Sequence, residues 1–246
     1  MRPLQYDAIY EFIDAGVDLF YQGKHRTLND VRLANLPKKN VFLFRARNFN
    51  TPSELIPALL DARLSSSEEE KFGDFLESLA IYISAMTCDG RKSSAKGIAL
   101  EFDDDGVRYL VAIKSGYNWG NSSQYQSLEI NFRNAIQIQR QANSRLNLRA
   151  VLGMCYGSRA DVDKGLYIAK MGQSFWTFVS GDAALYLQIL DRIGVRAAYQ
   201  NRSFSAERAQ VEGALVEQMR LDYCTPDGLI DWHKVLAFNS GNGENG

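Results

Sequence analysis

The sequence predicts an α/β protein in which a mixed β-sheet is flanked by helices, with helical segments at both ends of the chain. Residues 107–114 form an apolar run rich in β-branched and aromatic side chains, and further buried runs occupy 148–156 and 166–170. Runs of this length, bounded by turn residues, are typical of strands inside a sheet. Elsewhere apolar residues recur at helical spacing, as in residues 6–21.

The two strands in the middle of the chain form a predicted hairpin. Residues 97–102 are the first strand, 103–106 (Asp-Asp-Asp-Gly) are the turn, and 107–114 are the second strand. Asp and Gly tolerate the backbone conformations that a tight reversal needs. The second strand ends at Lys114, whose ammonium group is costly to bury at the end of an apolar strand unless it has a function there.

Helices are predicted on both sides of this hairpin. Those before it cover residues 6–21, a short stretch from Pro52, and 65–86, where the spacing of Ser and Glu predicts a capping box. Those after it are predicted at 121–142, from Phe175, at 183–193, at 205–221 and through Trp232. The domain prediction is a helical N-terminal segment at 1–64, a core with C-terminal helices at 65–238, and a disordered Gly- and Asn-rich tail at 239–246.

Composition excludes several classes of protein. The 246 residues suffice for a sizeable core, and the formal net charge of −1 gives no support for nucleic-acid binding, although a basic cleft does not need a basic average. Three widely spaced cysteines indicate reduced thiols rather than disulfides or a zinc site. No apolar run approaches the ~20 residues of a membrane span and no hydrophobic signal region begins the chain, so we expect a cytoplasmic protein without a membrane partner.

Two common kinds of catalytic site are also excluded. His25 and His233 are the only histidines, and neither has the spacing of a metal ligand, which argues against a histidine–metal nuclease. Ser115-Gly116 has no accompanying pattern of His and Asp, so a serine triad is not supported.

The hairpin and the residues after it carry a resemblance to a known family. Residues 97–102 read Gly-Ile-Ala-Leu-Glu-Phe, and 113–124 read Ile-Lys-Ser-Gly-Tyr-Asn-Trp-Gly-Asn-Ser-Ser-Gln. This pattern resembles the PD-(D/E)xK nucleases and, more narrowly, the PmeII-like group of Type II restriction endonucleases. The resemblance extends from about residue 72 to 238, and only the hairpin with its Asn-Trp-Gly-Asn segment is specific.

The resemblance implies a restriction-endonuclease-like core and a set of partners. It implies Mg²⁺ as cofactor and double-stranded DNA as substrate, cut at a short palindromic site. A palindrome requires two-fold symmetry of the protein, so a homodimer is expected. The apolar faces of residues 65–86 and 205–221 are the predicted dimer contacts. A cognate DNA methyltransferase is expected as a genetic partner, because the host must be protected.

One position departs from the family pattern. Ala99 stands where relatives carry Asp, and a methyl group cannot bind a hard cation, which takes oxygen ligands. Ala112 replaces the acid of the acid-x-Lys tripeptide, but the PmeII-like group tolerates a small residue there. Two histories explain Ala99: a naturally inactive paralogue, or replacement of the aspartate to trap a DNA complex, which the intact surroundings favour.

Three residues are candidates for the chemistry. The resemblance makes Lys114 the catalytic lysine, which orients or deprotonates the attacking water and offsets charge on the phosphate. Glu101 lies two residues after Ala99 and therefore on the same face of the sheet; it is a second ligand, a partner for Lys114 or a solvated acid. Glu77 is either the outer-shell glutamate that a preceding helix often contributes in this superfamily or a surface residue.

The segment after Lys114 is the predicted DNA-binding region. Its amides and hydroxyls suit phosphate, and a helix start near Asn121 offers free N–H groups to an anion. The same residues also suit a structured loop with a capping Asn or Ser, and both roles are compatible. The predicted DNA-binding residues are Ser115, Asn118, Trp119, Asn121, Ser122 and Gln124.

Three functions are compatible with these patterns. The first is a Type II restriction endonuclease that is inactive as written because of Ala99. The second is another nuclease on the same core, such as a repair or mobile-element enzyme. The third is a catalytically silent DNA-binding protein.

Overall fold

The computed structural model describes residues 1–34 and 40–241, without the side chains of residues 66 and 67. Along this part of the chain, three helices precede three strands, and one helix then separates these from three further strands and three final helices. The helices are α1 (Tyr6–Asn29), α2 (Val41–Ala46), α3 (Pro52–Cys88), α4 (Ser122–Ala142), α5 (Gln173–Ser180), α6 (Leu185–Tyr223) and α7 (Trp232–Ser240). The strands are β1 (Arg91–Lys92), β2 (Leu100–Asp104), β3 (Val107–Lys114), β4 (Leu148–Met154), β5 (Val162–Asp163) and β6 (Tyr167–Met171).

The strands form one mixed sheet, in the order β1-β2-β3-β4-β6-β5. β3, β4 and β6 are parallel to one another, and the other neighbouring pairs are antiparallel. This confirms the predicted mixed sheet flanked by helices. Because the central strands are parallel, their carboxyl ends lie at the same edge of the sheet.

The predicted hairpin is β2 and β3, with a shorter turn than expected. β2 continues to Asp104, and the turn consists of Asp105 and Gly106, which have φ angles of 48° and 72°. A two-residue turn of this kind needs positive φ at both positions, which Asp and Gly tolerate. Asp103 belongs to the strand, where it pairs with Arg108 of β3, and the Arg108 Nε donates to its carboxylate at 2.8 Å.

The two faces of the sheet are covered by different helices. On one face α4 buries its apolar residues Leu128 and Phe132 against side chains of β3, β4 and β6. On the other face α5 places Phe175 against Gly153, where any side chain would collide with the ring. α3 joins this second layer, since Thr87 donates to the carbonyl of Val179 at 2.7 Å.

Two long helices replace pairs of predicted ones. The capping box predicted at Ser65 is wrong, because Ser65 lies inside α3 and the buried Leu60 and Leu64 continue the helix through it. The break predicted between 193 and 205 is also wrong, since α6 passes through it. Phe204 is buried there and Gln200 donates to Asp18 at 2.6 Å, so packing and side-chain bonds offset the weak helix propensity of this polar stretch.

The helices predicted to form a dimer contact bury their apolar residues within the chain. Phe75, Leu79 and Ile83 of α3 are buried, and so are Leu215 and Met219 of α6. These side chains are therefore not available to a second copy.

The chain divides into two compact units. The first comprises residues 1–17 and 71–196 and contains the sheet, and the second comprises residues 18–70 and those from 197 onward. The second unit is helical, with ion pairs such as Lys24–Glu68 at 3.0 Å and Arg208–Asp61 at 2.7 Å.

The last helix extends further than the sequence predicted. α7 continues to Ser240, so the first two residues of the predicted tail are helical, while 242–246 lie outside the described residues. No helix among residues 1–34 and 40–241 is both long and apolar enough to cross a membrane.

Candidate active site

The sheet places residue 99 and Lys114 on the same face. Ala99 precedes β2, and its N–H donates to the carbonyl of Val111 at 2.8 Å, which continues the antiparallel ladder in which Leu100 pairs with Val111. The same register places Ala99 opposite Ala112. Because side chains alternate along a strand, Lys114, two residues further on, shares this face with both alanines.

Lys114 is half-buried at the carboxyl end of β3. Its Nζ lies 5.1 Å from the centre of the Trp119 ring, a cation–π contact that keeps the ammonium beside the following loop. No carboxylate forms an ion pair with Lys114 within the described part of the chain. The charge of this lysine is therefore available to an anionic ligand at the edge of the sheet.

Glu101 is neither a solvated acid nor a partner of Lys114. The residue is only 5 % exposed. Its carboxylate accepts hydrogen bonds from Ser93 Oγ at 2.5 Å, from Arg91 Nη2 at 3.3 Å and from Gln139 Nε2 at 3.3 Å. These donors come from β1, from the loop after it and from α4, so Glu101 joins three elements around the first strand of the hairpin.

We expect Glu101→Ala to destabilise the fold by about 1–3 kcal/mol, because it leaves the half-buried Ser93 and Gln139 without the acceptor that the buried carboxylate provides. Glu101→Gln keeps an acceptor for Ser93 and should cost about half as much. Urea denaturation of the three proteins measures the difference. Unfolding free energies that are equal within error would contradict the anchoring role.

Glu77 lies close to the carboxyl ends of β3 and β4. Burial raises the pKa of the Cys155 thiol to about 12, and the negative charge of nearby Glu77 contributes to the increase. One helical turn earlier, Gly73 of α3 lies against the side chain of Ser115. α3 covers the face opposite Lys114, so Glu77 approaches the edge of the sheet from the other side. The described residues provide no hydrogen bond or ion pair to its carboxylate.

Two of the predicted DNA-binding residues form the N-terminal cap of α4. Asn121 Oδ1 accepts from the backbone N–H of Gln124 at 3.1 Å, and Gln124 Oε1 accepts from the N–H of Asn121 at 2.9 Å. This reciprocal pair is a capping box. Asn121 and Gln124 therefore have the capping role that was the structural alternative to DNA binding. Asn118 and Ser122 are exposed beside them.

Trp119 links Lys114 to the core. Its ring packs against Tyr125 of α4, with 4.6 Å between the ring centres. Its indole Nε1 is buried without a hydrogen-bond partner, the one such side-chain atom in the described part of the chain. An unpaired buried donor costs about 1–3 kcal/mol, so an acceptor that reached this nitrogen would stabilise the loop.

The structure also brings residues to this edge that the sequence did not indicate. The backbone N–H groups of Cys155 and Tyr156 donate to the carbonyls of Lys114 and Ser115, at 2.9 and 3.1 Å. The exposed Tyr156 ring fills the space over Gly116, where a side chain would collide with it. The glycine at 116 was the one feature of the sequence that could have indicated this close contact.

A second aromatic contact at this edge involves a basic residue. The Arg159 guanidinium lies 5.7 Å from the centre of the exposed Tyr117 ring. No local pattern in the sequence predicts that Arg159 returns to this loop.

The side chains at this edge do not fit a magnesium ion. Among the described residues no three His, Cys, Asp or Glu side chains lie close enough together to hold a metal. Of the three predicted ligand positions, Ala99 offers a methyl group, Glu101 is already bound by three donors, and Glu77 has a carboxylate to which no described residue is bonded. Mg²⁺ requires six oxygen ligands in near-octahedral geometry and prefers carboxylates among them.

A mixed sheet flanked by helices, with a strand-end lysine on the same face as residue 99, is consistent with a restriction-endonuclease-like fold. Comparison with protein families identifies the family within this fold. The family described as Type II restriction endonuclease EcoO109I matches residues 7–201, which is most of the chain, and the protein belongs to this family. The match begins well before residue 72, so it includes residues 7–64 of the helical N-terminal segment, and it ends at 201, so it does not include residues 202–238. A search of curated proteins found no match.

Proposed function

We propose that this protein binds a short palindromic site in double-stranded DNA as a PmeII-like Type II restriction endonuclease, and that Ala99 makes it inactive as written. The observation that carries the proposal is the register of β2 and β3, which aligns residue 99, Ala112 and Lys114 on one face at the edge of the sheet. An aspartate at 99 would complete a site for Mg²⁺-dependent hydrolysis of a phosphodiester. With Ala99 the side chains do not fit the ion.

Lys114 is the residue that we assign to the reaction centre. Its ammonium has no competing carboxylate among the described residues and is held over Trp119. There it would contact the scissile phosphate and stabilise the negative charge that increases as water attacks. Glu101 has a positioning role in this proposal, because it holds the strand that carries residue 99. Glu77 is the remaining carboxylate for an outer-shell role.

The loop after Lys114 and the start of α4 form the proposed DNA contact. Ser115, Asn118 and Ser122 present polar groups, and the first turn of α4 presents backbone N–H groups to a phosphate. The unpaired Trp119 indole supports this assignment, because a loop with an unsatisfied donor can gain a partner when it rearranges around a ligand.

The cleavage pattern of plasmid DNA by the Ala99→Asp variant tests the proposal. Discrete bands support a site-specific restriction enzyme. A smear supports the alternative of a repair or mobile-element nuclease on the same core. A folded variant that binds DNA but does not cut it supports a catalytically silent DNA-binding protein. A gene for a DNA methyltransferase beside this one is the expected genetic partner.

A palindromic double-strand cut needs two active sites, so we propose a homodimer. The exposed stripe of α6 is the candidate contact: Leu187, Leu190 and Val195 are 47 %, 65 % and 66 % exposed, and an added side chain at Gly194 would meet no atom within 4 Å. This i, i+3, i+7, i+8 spacing is that of an apolar helix face, here directed toward solvent. A second copy of the same helix would cover it symmetrically.

We expect light scattering at micromolar concentration to give the mass of a dimer for the original chain and of a monomer for Leu190→Arg, because the guanidinium would be buried in an apolar contact. Leu221→Arg is the matched control, since Leu221 is 67 % exposed on the same helix outside the stripe. It should remain a dimer. A monomeric original chain, with and without DNA, would count against the palindromic site.

A further inference from the structure

We propose a second phosphate-binding site for duplex DNA, remote from Lys114, in the groove between α4 and the first residues of β4 and β6. The inference rests on the proposed DNA-binding function and adds a site to it. The groove has a volume of about 750 Å³ and is lined by Arg133 and Arg140 of α4 and by Arg149 of β4. Asp163 is the one carboxylate among its lining residues.

The groove lies at the opposite edge of the sheet from Lys114. It is lined by residues 148–150 at the start of β4 and by 165–168 at the start of β6, whereas Lys114 pairs with Met154 at the other end of β4. Met154 lies six positions after Leu148 along β4, a distance of about 20 Å. A phosphate in the groove therefore belongs to another part of the DNA than the phosphate at Lys114.

The positive charge of the groove is largely uncompensated. Arg140 and Arg149 are exposed and form no ion pair with any described residue. Arg133 forms an exposed pair with Glu129 at 3.2 Å, which is weak in water. One oxygen of Asp163 already accepts from the N–H of Gly165 at 2.7 Å. The chain as a whole has a net charge of −1, so the concentration of arginines is local.

The groove is built on regular elements. Its base includes Ile136, Leu148 and Leu166, which pack against the buried cluster between α4 and the sheet. Gln137 and Gln141 of α4 add amide donors at the rim. A rigid apolar base with guanidinium and amide groups around it suits an anion whose other face is apolar or stacked, as in a nucleic acid.

The spacing of the arginines favours a polymer backbone over a single phosphate. Arg133 and Arg140 are seven residues apart on α4, which is about 10 Å along the helix axis. Successive phosphates of a DNA backbone allow each arginine to contact a phosphate of its own, whereas a single phosphate would have to draw both side chains together. Duplex DNA is therefore the expected ligand rather than a free nucleotide.

The test measures the affinity of a fluorescent duplex of about 30 base pairs at several salt concentrations, because each phosphate contact contributes about one unit to the salt dependence. For the variant Arg140→Gln/Arg149→Gln we expect the log–log slope to decrease by about two and the affinity at ~100 mM salt to decrease about tenfold or more. Each single variant should show about half of the change in slope. Arg145→Gln is the control, since Arg145 is an exposed arginine near the start of β4 that does not line the groove.

Three results would overturn the proposal. If the double variant matches the original chain, or changes no more than Arg145→Gln, the groove does not bind DNA. If a deoxynucleoside monophosphate binds the original chain but not the double variant, while duplex affinity is unchanged, the ligand is a nucleotide. If the original chain binds no duplex at all, the proposed function fails and the second site fails with it. A normal thermal unfolding curve for the double variant excludes misfolding as the cause of any loss.

Discussion

Lys114→Ala, introduced into the Ala99→Asp variant, should reduce DNA cleavage about 10³-fold or more while duplex affinity changes by less than about tenfold. Cleavage should change much more than affinity because of the position of the ammonium. The Lys114 ammonium lies at the carboxyl end of β3 against the Trp119 ring and forms no ion pair with a described residue, so its removal breaks no salt bridge in the fold. Its effect should appear when charge develops on the phosphate in the transition state.

Two further variants separate catalysis from charge and from folding. Lys114→Arg keeps the positive charge but changes its geometry, so it should bind DNA normally and cut poorly. Lys92→Ala removes an exposed lysine of β1, on the same sheet, and should change neither property. Single-turnover cleavage and equilibrium binding provide the two readouts. Ordinary cutting by the Lys114→Ala form would remove Lys114 from the mechanism.

Local patterns predicted the parts of the site that depend on neighbouring residues in the chain. The alternation of β-branched residues, the Asp-Gly turn and the terminal Lys114 specified the hairpin. The Asn-x-x-Gln spacing at Asn121 belongs to the cap of α4 that was predicted there. In each case one short stretch of chain contains all of the interacting groups, so the local sequence is sufficient to predict the structure.

Contacts between distant residues were not predictable in the same way. Two of the donors to Glu101 are Arg91 and Gln139. The alternation of side chains along the strand predicted the face of the sheet on which Glu101 lies, but not the residues that bind its carboxylate. The contact of Arg159 with Tyr117 could not be predicted either, because the path of the loop after β4 brings these distant residues together. The long helices α3 and α6 were divided in the prediction, since local propensity falls at polar stretches that tertiary contacts stabilise.

The candidate dimer contact shows how burial changes the interpretation of a pattern. The apolar stripes of residues 65–86 and 205–221 have the helical spacing of an interface, and that spacing is the same whether the partner belongs to the same chain or to another. The structure buries those stripes internally and leaves Leu187 and Leu190 exposed. Exposure, which periodicity does not determine, identifies the surface that is still available.

The second large effect concerns Ala99. The chain as written should bind its DNA site but cut it poorly or not at all in Mg²⁺, because the described residues bring no three metal-binding side chains together and Ala99 adds no oxygen ligand. Ala99→Asp adds a carboxylate on the face of Lys114 and should restore cleavage, an increase of at least about 10³-fold. Ser94→Asp is the control, since Ser94 is exposed in the preceding loop and adds the same charge away from that face.

DNA affinity provides a second readout for Ala99 that does not depend on turnover. An aspartate near the scissile phosphate repels it, so without divalent metal the Ala99→Asp variant should bind DNA up to about tenfold more weakly than the original chain. Ca²⁺ or Mg²⁺ should remove this difference by neutralising the two anions, whereas the affinity of the original chain should depend little on metal. Binding titrations with and without Ca²⁺ measure both effects. If the original chain already cuts at an ordinary enzymatic rate, the alignment of the hairpin is wrong and Glu101 must leave its three donors to act as the first-strand ligand.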